Sequence, residues 1–281
     1  MSDDILAARA RSRPGLPVAI VIGGCGGMGM ACVRRLAQHH AVVIADLDGA
    51  RAEQAAAALA AEGYSVAGAG CDATDAAAVA ALFAHAARLG PVTAIAHVLG
   101  LSPSMADAPT ILTVNLVAPA LVAEAALAHM PPGGAAVFVS SIAGHGTRVP
   151  DAVQPILDAP LDPDFRASIT AALPDLTSSD AYRFSKATLL RFCRRNAAAW
   201  GARGLRINSL SPGLIRTPMG DREFDRSPAK GALLQRIPLE RQGELTEIAD
   251  GLEFLLSNKA SFITGTDLLI DGGLVATNEP G

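Results

Sequence analysis

Short apolar segments alternate with longer segments of helical periodicity from one end of the chain to the other. The apolar segments are often continuous and are bounded by Gly, Pro or Asp, which is typical of strands buried on both faces of a sheet. The pattern predicts seven strands, at residues 17–22, 41–46, 65–71, 92–98, 135–140, 205–210 and 267–270. It predicts six helices among them, at residues 28–39, 50–62, 75–89, 107–129, 179–201 and 246–257.

The regular alternation of strand and helix predicts an α/β fold. Parallel strands need long crossover connections, which are usually helices, so the alternation predicts a single doubly wound parallel sheet of about seven strands with helices on both faces. No repeat or low-complexity linker divides the chain. We therefore expect one domain over residues 17–281, preceded by a flexible tail at residues 1–16.

Two long connections interrupt this alternation of strands and helices. Residues 146–178, which are rich in Pro and Asp, form an insertion before the helix that begins at residue 179, and residues 211–244 form a second long connection with four prolines. Connections in compact domains usually have about two to six residues, and longer ones are often binding loops. Both follow predicted strands, at the edge of an open α/β sheet where ligands bind. We expect residues 211–244 to be the substrate loop.

Composition narrows the classes of function. Apolar residues make up 50% of the chain and charged residues 18%, which excludes a disordered chain. With a net charge of −4, the chain lacks the basic surface of a nucleic-acid-binding protein, so we expect no nucleic-acid partner. No continuous apolar run approaches the roughly 18 residues of a membrane helix, and the basic N-terminus lacks the apolar segment of a secretory signal. The four cysteines have neither metal-ligand spacing nor a disulfide pattern, so we expect a cytoplasmic protein without a metal site or a membrane partner.

A glycine-rich segment follows the first predicted strand and opens the first predicted helix. Glycine permits positive φ and lets backbone N–H groups approach a pyrophosphate, whose charge is favoured at a helix N-terminus. Because Asp46 ends the second predicted strand, the segment has the context of a dinucleotide site, and it predicts a Rossmann-like fold. The segment reads Gly23-Gly24-Cys25-Gly26-Gly27-Met28-Gly29.

Asp46 also predicts which dinucleotide binds. A carboxylate at this position accepts hydrogen bonds from the adenosine ribose hydroxyls and repels a 2′-phosphate, which would need a basic side chain nearby. The neighbouring candidate positions, Gly26 and Leu47, are not basic. We therefore expect NAD rather than NADP.

Tyr182 and Lys186 are four residues apart in the fifth predicted helix, so they lie on one face of it. A phenol is a poor base at neutral pH because its pKa is about 10, and a neighbouring cation is needed to stabilise the phenolate. Lys186 can supply that cation. The pair therefore predicts general acid–base chemistry.

With these motifs the chain resembles the short-chain dehydrogenase/reductase family from residue 17 to residue 273. The glycine-rich segment matches the family's cofactor motif, except that Ile22 replaces a Thr, and Tyr182 and Lys186 match its Tyr-x-x-x-Lys pair. At His97-Val98-Leu99-Gly100 the chain departs from the family's usual Asn-Asn-Ala-Gly. The further matches are Asn115 in Thr113-Val114-Asn115-Leu116, Ser141 in Ser140-Ser141-Ile142-Ala143-Gly144, the segment Asn208-Ser209-Leu210-Ser211-Pro212-Gly213, and the segment Ile270-Asp271-Gly272-Gly273.

The resemblance implies a role for each of these residues. Tyr182 would be the general base or acid for a secondary alcohol or a ketone, and Lys186 would lower its pKa and bind the nicotinamide ribose. Ser141 would hold the substrate oxygen, with Ser140 as a rival for that role. Asn115 would hold a water that links Lys186 to solvent, unless it is only a structural residue of its helix. The implied cofactor contacts, besides the glycine-rich segment, are Asp46, Leu47, Asp72, Ala73, Leu99, Gly100, Tyr182, Lys186, Pro212, Gly213, Ile215 and Thr217.

Ser141 and Tyr182 are 41 positions apart, a much longer interval than most members of the family have. In this respect the chain is similar to a bacterial 3α-hydroxysteroid dehydrogenase/carbonyl reductase subgroup, which implies a hydroxysteroid or terpenoid substrate. The insertion would also change which helices are free for subunit contacts, so we expect either a homodimer or a homotetramer. Its apolar residues would form a lid over a bulky apolar alcohol or ketone. They are Val149, Val153, Ile156, Leu157, Leu161, Phe165, Ile169, Leu173 and Leu176.

Two other functions stay open at this point. A 3-oxoacyl-thioester reductase would share the fold, although such enzymes commonly use NADP and the insertion would crowd a carrier protein. A catalytically inactive NAD-binding sensor or scaffold would tolerate loss of the catalytic residues. All four are present, namely Tyr182, Lys186, Ser141 and Asn115. The sequence therefore favours an NAD-dependent oxidoreductase that acts on a small-molecule alcohol or ketone.

Overall fold

The computed structural model describes residues 15–216 and 228–278. Its centre is a seven-stranded parallel sheet whose order, β3-β2-β1-β4-β5-β6-β7, reverses direction between β1 and β4. The predicted doubly wound parallel sheet is confirmed, and no strand end differs by more than two residues from its predicted position. The strands are β1 (Val18–Ile22), β2 (Ala41–Asp46), β3 (Val66–Gly70), β4 (Val92–His97), β5 (Ala135–Val139), β6 (Arg206–Pro212) and β7 (Asp267–Ile270).

Helices cover both faces of the sheet. They are α1 (Gly27–Leu36), α2 (Gly49–Ala61), α3 (Ala76–Ala87), α4 (Ala108–His129), α5 (Gln154–Leu157), α6 (Phe165–Ala172), α7 (Ser178–Ala202), α8 (Pro228–Leu234) and α9 (Leu245–Leu256). On one face α1, α2 and α9 bury apolar side chains against the strands, and on the other α3, α4 and α7 do so. The six predicted helices are present, whereas α5, α6 and α8 lie within the two long connections and were not predicted.

Several helices begin at residues whose side chains accept backbone N–H groups. Asp48, Asp75 and Thr177 do this at α2, α3 and α7. Asp and Thr are favoured at this position because the first turn of a helix has N–H groups without a partner in the helix. The start of α7, which carries Tyr182 and Lys186, is therefore fixed by its own sequence.

The α4 helix is long and apolar enough to cross a membrane, with a mean hydropathy of 1.9 over its most apolar window. A search for continuous apolar runs misses it because polar residues such as Asn115 and Glu124 interrupt the run. In the fold, 56% of this window is buried, and the helix packs on the sheet beside α3 and α7. These contacts are typical of the core helix of a globular domain. The expectation that the protein has no membrane partner stays a prediction.

The insertion at residues 146–178 builds an apolar cluster of its own with the first turns of α4 and α7. Five of the nine expected lid side chains are at most 5% exposed and pack against Ile111, Leu112 and Ala181. Side chains buried in this way are not available to a substrate. The expectation of a lid lined by all nine residues is therefore wrong for Val149, Val153, Leu157, Phe165 and Ile169.

Some predicted segments lie partly outside the described residues. The tail at residues 1–16 and the single domain over residues 17–281 stay predictions. In the substrate loop predicted at residues 211–244, Ile215 pairs with Gly243 in an isolated parallel bridge. The two ends of this long connection are therefore held together beside the carboxyl end of β6.

Arg206, at the start of β6, joins the sheet to the end of α9. It is 9% exposed, and its guanidinium donates to Leu255 O at 2.6 Å, to Ser257 O at 3.0 Å and to Leu256 O at 3.3 Å. Carbonyl groups in the last turn of a helix have no partner within the helix, and a cation there also interacts favourably with the helix dipole. Arg206 therefore takes the place of a helix cap.

Replacing Arg206 with Met should lower the free energy of unfolding by about 2–3 kcal/mol, because buried carbonyl groups lose a charged donor while the packing of the side-chain stem is kept. Urea unfolding followed by circular dichroism measures the change. The exposed Arg203 is the matched control, and Arg203→Met should cost less than about 0.5 kcal/mol. Equal losses in the two variants would contradict the capping role.

Candidate active site

The glycine-rich turn between β1 and α1 lies at the carboxyl ends of the strands, where the strand order reverses. Gly23 has a φ of +78°, which glycine adopts without strain. Its N–H and that of Gly24 donate to Ala45 O at 2.9 and 3.1 Å, so β2 tethers the turn although Ile22 stands where the family has Thr. A Cβ on Gly23 would lie 2.9 Å from the backbone of Leu99, so the close approach of these two segments also requires glycine.

The first turn of α1 faces open space. Gly26 and Gly27 are exposed, and a Cβ at these positions would meet no described heavy atom nearer than 3.7 and 3.5 Å. The first turn contains no acidic residue, so no carboxylate of the helix competes for its N–H groups. Gly29, where a Cβ would lie 2.2 Å from Gly23 O, lets the helix pack tightly against the turn. This turn can therefore receive a pyrophosphate.

Asp46 closes the turn from the end of β2. Its Oδ2 accepts the Cys25 N–H at 3.1 Å, and its Oδ1 has only a 3.5 Å contact with the Asp48 N–H. Burial, and after it the Asp46 carboxylate, raise the pKa of the Cys25 thiol to about 11. Leu47, the next residue, is 76% exposed. One oxygen of Asp46 therefore organises the turn, and the other is placed to accept a ribose hydroxyl.

Arg51, in the first turn of α2, lies beside the same turn and was missed by the sequence reasoning. Its Nη2 donates to Cys25 O at 2.7 Å. The sequence analysis considered only Gly26, within the glycine-rich segment, and Leu47, next to Asp46. Arg51 is five positions after Asp46 in the chain, and α2 places it beside the turn. The signal that could have found it is a basic residue in the first turn of the helix that follows β2.

Four of the implied cofactor contacts follow β3 and β4. Leu99 and Gly100 lie after β4, and Leu99 touches the glycine-rich turn. Asp72 is exposed after β3, and its Oδ1 accepts the N–H and the hydroxyl of Thr74 at 2.9 and 2.6 Å. Ala73 is 3% exposed and packs in the core, so only its backbone could touch a ligand.

The remaining implied contacts follow β6. Pro212 is buried at the end of that strand. A Cβ on Gly213 would lie 2.6 Å from Asp271 Cα, so the chain passes close to the end of β7 here. Ile215 lies next in the bridge with the far end of the long connection. Thr217 lies outside the described residues, and its contact stays a prediction.

Tyr182 and Lys186 lie one turn apart in α7. Lys186 Nζ donates to Val139 O at 3.0 Å and lies 5.7 Å from the centre of the Tyr182 ring. Gly100 leaves room for this group, since a Cβ there would be 3.2 Å from Nζ. Burial lowers the pKa of Lys186 to about 8. Burial also raises the pKa of the Tyr182 phenol, and a hydrogen bond with Ser141 opposes that rise.

The two serines after β5 have different partners. Ser140 is 3% exposed, and its hydroxyl donates to Lys186 O at 2.9 Å, so it fastens the strand to α7. Ser141 begins a 3₁₀ turn, where its Oγ accepts the Ala143 N–H at 3.1 Å, and its hydroxyl lies close enough to the Tyr182 phenol to lower the pKa of that phenol. The structure therefore brings Ser141, and not Ser140, to the phenol.

Asn115 lies within a π-helical turn of α4, Thr113–Val117, a distortion that is frequent at functional sites. Its Oδ1 accepts the Leu101 N–H at 2.8 Å, and its Nδ2 donates to Leu101 O at 3.1 Å and to Ser185 Oγ at 3.0 Å. The buried amide therefore holds the segment after β4 against α7. The role of binding a water stays a prediction.

His97, at the end of β4, is 1% exposed and packs on Phe138 with ring centres 5.4 Å apart. Burial, followed by the charge of Lys186, lowers its pKa to about 3. The imidazole is therefore neutral at physiological pH. It is a packed neighbour of Lys186 rather than a general base.

Comparisons with known proteins cover nearly the whole chain. Residues 17–152 match a family model described as "short chain dehydrogenase", and residues 166–275 match one described as "Enoyl-(Acyl carrier protein) reductase". The short-chain dehydrogenase/reductase bsc3 of Alternaria brassicicola is 32% identical over 261 residues, which are 92% of this chain and 95% of that protein. D-threitol dehydrogenase of Mycolicibacterium smegmatis is 32% identical over 265 residues, 91% of this chain and 92% of that protein.

A solved structure shows the same likeness in three dimensions. It is that of a blue fluorescent protein from a metagenomic library in complex with NADPH, and it is 26% identical to this chain. The TM-score is 0.72, over 92% of this chain and 97% of that one. The sequence relatives thus agree with the family model, and the solved structure agrees with the fold.

Burial of Lys186 predicts a pH-dependent contribution to stability. An unfolded lysine titrates at about 10.4, and burial lowers the pKa of Lys186 to about 8. Between these two values the unfolded chain holds a proton that the folded protein has lost, so stability rises with pH. Relative to Lys186→Met, which has no titrating group there, the free energy of unfolding of the wild type should rise by up to about 3 kcal/mol across this window.

Urea unfolding of both proteins at about pH 7.5, 9 and 10 measures this difference. The comparison with Lys186→Met removes the effect of the groups that titrate over the same range without interacting with Lys186. Parallel curves for the two proteins would show that the Lys186 side chain is not desolvated.

Proposed function

The chain belongs to the short-chain dehydrogenase/reductase family and is an oxidoreductase of that family, and from this premise we propose that it interconverts a secondary alcohol and a ketone with NAD(H). The observation that carries the proposal is the grouping of the buried Lys186 with the half-buried Tyr182 and Ser141. Each of these groups has a task that follows from its position.

Tyr182 is the general base in oxidation and the general acid in reduction. Its oxygen takes the hydroxyl proton of the alcohol, or returns a proton to the ketone oxygen. Burial alone raises the pKa of this phenol and so opposes the task. The ammonium of Lys186, 5.7 Å from the ring centre, stabilises the phenolate and offsets the effect of burial.

Ser141 holds the substrate oxygen. Its hydroxyl lies close enough to Tyr182 to lower the pKa of the phenol, so a substrate oxygen bound by both groups would lie where negative charge develops during the reaction. Asn115 holds the segment after β4 in place through its bonds with Leu101. We further propose that it helps to retain a water through which a proton passes from Lys186 to solvent.

The residues at the sheet edge fit a nicotinamide dinucleotide. A bound nicotinamide supplies or accepts the hydride. The N–H groups of the exposed residues Gly26 and Gly27 would bind the pyrophosphate at the positive end of α1. Asp46 would accept the ribose hydroxyls of the adenosine, which favours NAD(H) over NADP(H). Lys186 would bind the nicotinamide ribose.

We propose an apolar substrate of the hydroxysteroid or terpenoid class. Tyr182 packs beside an apolar cluster whose partly buried members include Leu101, Leu173 and Leu176. Apolar contacts with a substrate would come from such side chains, because the five fully buried residues of the insertion are committed to its own core. A homodimer or homotetramer remains our expectation for the assembly.

Tyr182→Phe should lower kcat for alcohol oxidation and ketone reduction by about 10²–10⁴-fold, because a positioned proton donor or acceptor contributes roughly that much. NADH absorbance at 340 nm with a panel of hydroxysteroids, terpenoid alcohols and their ketones measures the rate. Binding of NADH should change far less than kcat, because Tyr182 is only one of the many implied cofactor contacts, whereas proton transfer depends on its hydroxyl.

The second tyrosine of the chain provides the control. Tyr64→Phe removes a phenol that lies before β3, away from α7, and should leave kcat unchanged. Undiminished turnover by Tyr182→Phe would refute the mechanism. Tight NADH binding by the wild type without turnover of any alcohol or ketone would favour the sensor or scaffold instead.

Asp46 and Arg51 should act in opposite directions on the choice of cofactor. We expect the wild type to bind NADH at least about tenfold more tightly than NADPH, a difference of about 1.4 kcal/mol. Asp46→Ala should reduce that ratio by removing the like charge, whereas Arg51→Ala should increase it by removing a cation near the 2′-position. Fluorescence titration of both reduced cofactors measures the ratios, and tighter binding of NADPH by the wild type would overturn the assignment.

A further inference from the structure

His145 ends the 3₁₀ turn that Ser141 begins, and it reaches across to the last strand of the sheet. Its Nε2 lies 2.9 Å from Asp267 Oδ2, so the ring N–H donates to the carboxylate. The side chains are 22% and 5% exposed, respectively. This contact, which we call the His145–Asp267 clamp, is therefore largely shielded from solvent, and shielding strengthens a charge-assisted hydrogen bond.

Asp267 is itself held in place. Its second oxygen, Oδ1, accepts the hydroxyl of Ser209 at 2.6 Å and that of Ser211 at 3.0 Å. Both serines belong to β6, which pairs with β5 on one side and with β7 on the other. The carboxylate therefore cannot turn away from His145 without losing bonds to the neighbouring strand.

The other end of the turn is fastened to α7. Ser140, one residue before Ser141, donates to Lys186 O at 2.9 Å. Gly144 passes so close to the helix that a Cβ there would lie 2.8 Å from the carbonyl carbon of Lys186. The turn is thus bonded to the helix at its start and to the sheet at its end.

The clamp lies between Ser141 and the insertion. Gly146, the first residue of the insertion, has a φ of +69°, so the chain changes direction immediately after His145. The apolar residues of the insertion pack with one another and against α4 and α7. Thr147, the second residue of the insertion, also donates its hydroxyl to Ala143 O at 2.8 Å. Without the clamp, a displacement of the insertion would therefore reach Ser141 through this bond and through four residues of backbone.

We propose that His145 is a positioning residue: the His145–Asp267 clamp fixes the hydroxyl of Ser141 beside Tyr182 and isolates it from movement of the insertion. This inference rests on the proposed function, because the task of Ser141 belongs to that proposal. The clamp acts on catalysis only through Ser141. It should therefore affect turnover while leaving the binding of the dinucleotide unchanged.

The reach of the side chain distinguishes a clamp from a general packing role. Gln places its amide N–H near the position of the His Nε2, whereas the Asn amide is nearer that of Nδ1 and falls short of Asp267. His145→Ala and His145→Asn should lower kcat about tenfold, because small displacements of a reacting group are costly, and His145→Gln should stay within about threefold of the wild type. All three variants should bind NADH with an unchanged Kd.

Arg148 supplies a matched control on the same segment. Its ion pair with Asp151 is 3.8 Å long, and the two side chains are 87% and 86% exposed. Arg148→Ala therefore removes a charge three residues away without touching the clamp, and kcat should not change. Equal kcat values for His145→Ala and the wild type, or for His145→Gln and His145→Ala, would overturn the proposal.

Hydrogen exchange tests the clamp without reference to any substrate. The N–H groups of Ala143, Gly144 and His145 are bonded within the turn, and they should exchange several-fold faster in His145→Ala but not in Arg148→Ala. Unchanged exchange in His145→Ala would show that no clamp operates. Absence of turnover in the wild type would remove the proposed function, and the exchange rates would still decide whether the clamp exists.

Discussion

Burial of one ammonium group, that of Lys186, sets the conditions that the surrounding structure has to meet. A buried charge is costly unless it is hydrogen-bonded, and here Val139 O, at the end of β5, accepts one of its N–H groups. Glycine at position 100 leaves space for this ammonium, because a Cβ there would lie only 3.2 Å from Nζ. The same ammonium lies 5.7 Å from the centre of the Tyr182 ring, so the group that is expensive to bury is also the one to which we assign the lowering of the phenol pKa.

The elements around this site are joined by bonds to backbone atoms, which makes their relative positions insensitive to side-chain motion. Ser140 bonds to Lys186 O, and Asn115 bonds to both the N–H and the carbonyl oxygen of Leu101. Close approaches at glycine serve the same purpose, because at Gly144 the turn after β5 touches the backbone of α7 directly. Two strands, β4 and β5, and two helices, α4 and α7, are therefore fixed relative to one another within the few ångströms over which proton transfer is effective.

The sequence predicts the sheet and the main catalytic pair because both depend on local patterns. Buried parallel strands read as continuous apolar runs, and the spacing of Tyr182 and Lys186 places them on one helical face. The π turn around Asn115, the different partners of Ser140 and Ser141, and the approach of Arg51 to Cys25 depend on contacts between segments distant in the chain. No local pattern contains them. The apolar residues of the insertion also could not be interpreted from local patterns, because their composition does not distinguish a lid over a substrate from a small separate core.

Acid–base catalysis at this site requires the Lys186 ammonium to make the half-buried Tyr182 phenol acidic enough to exchange a proton with a substrate. Carbon-13 NMR of protein labelled at tyrosine Cζ tests it directly, because the chain has only two tyrosines and Tyr64→Phe assigns the signals. The titration of Tyr182 is followed in the NAD complex of the wild type and of Lys186→Met. We expect the wild-type phenol to ionise while Lys186 is still protonated, with a midpoint about one or more pH units lower than in Lys186→Met, and the same midpoint in both proteins would show that Lys186 does not act on the phenol.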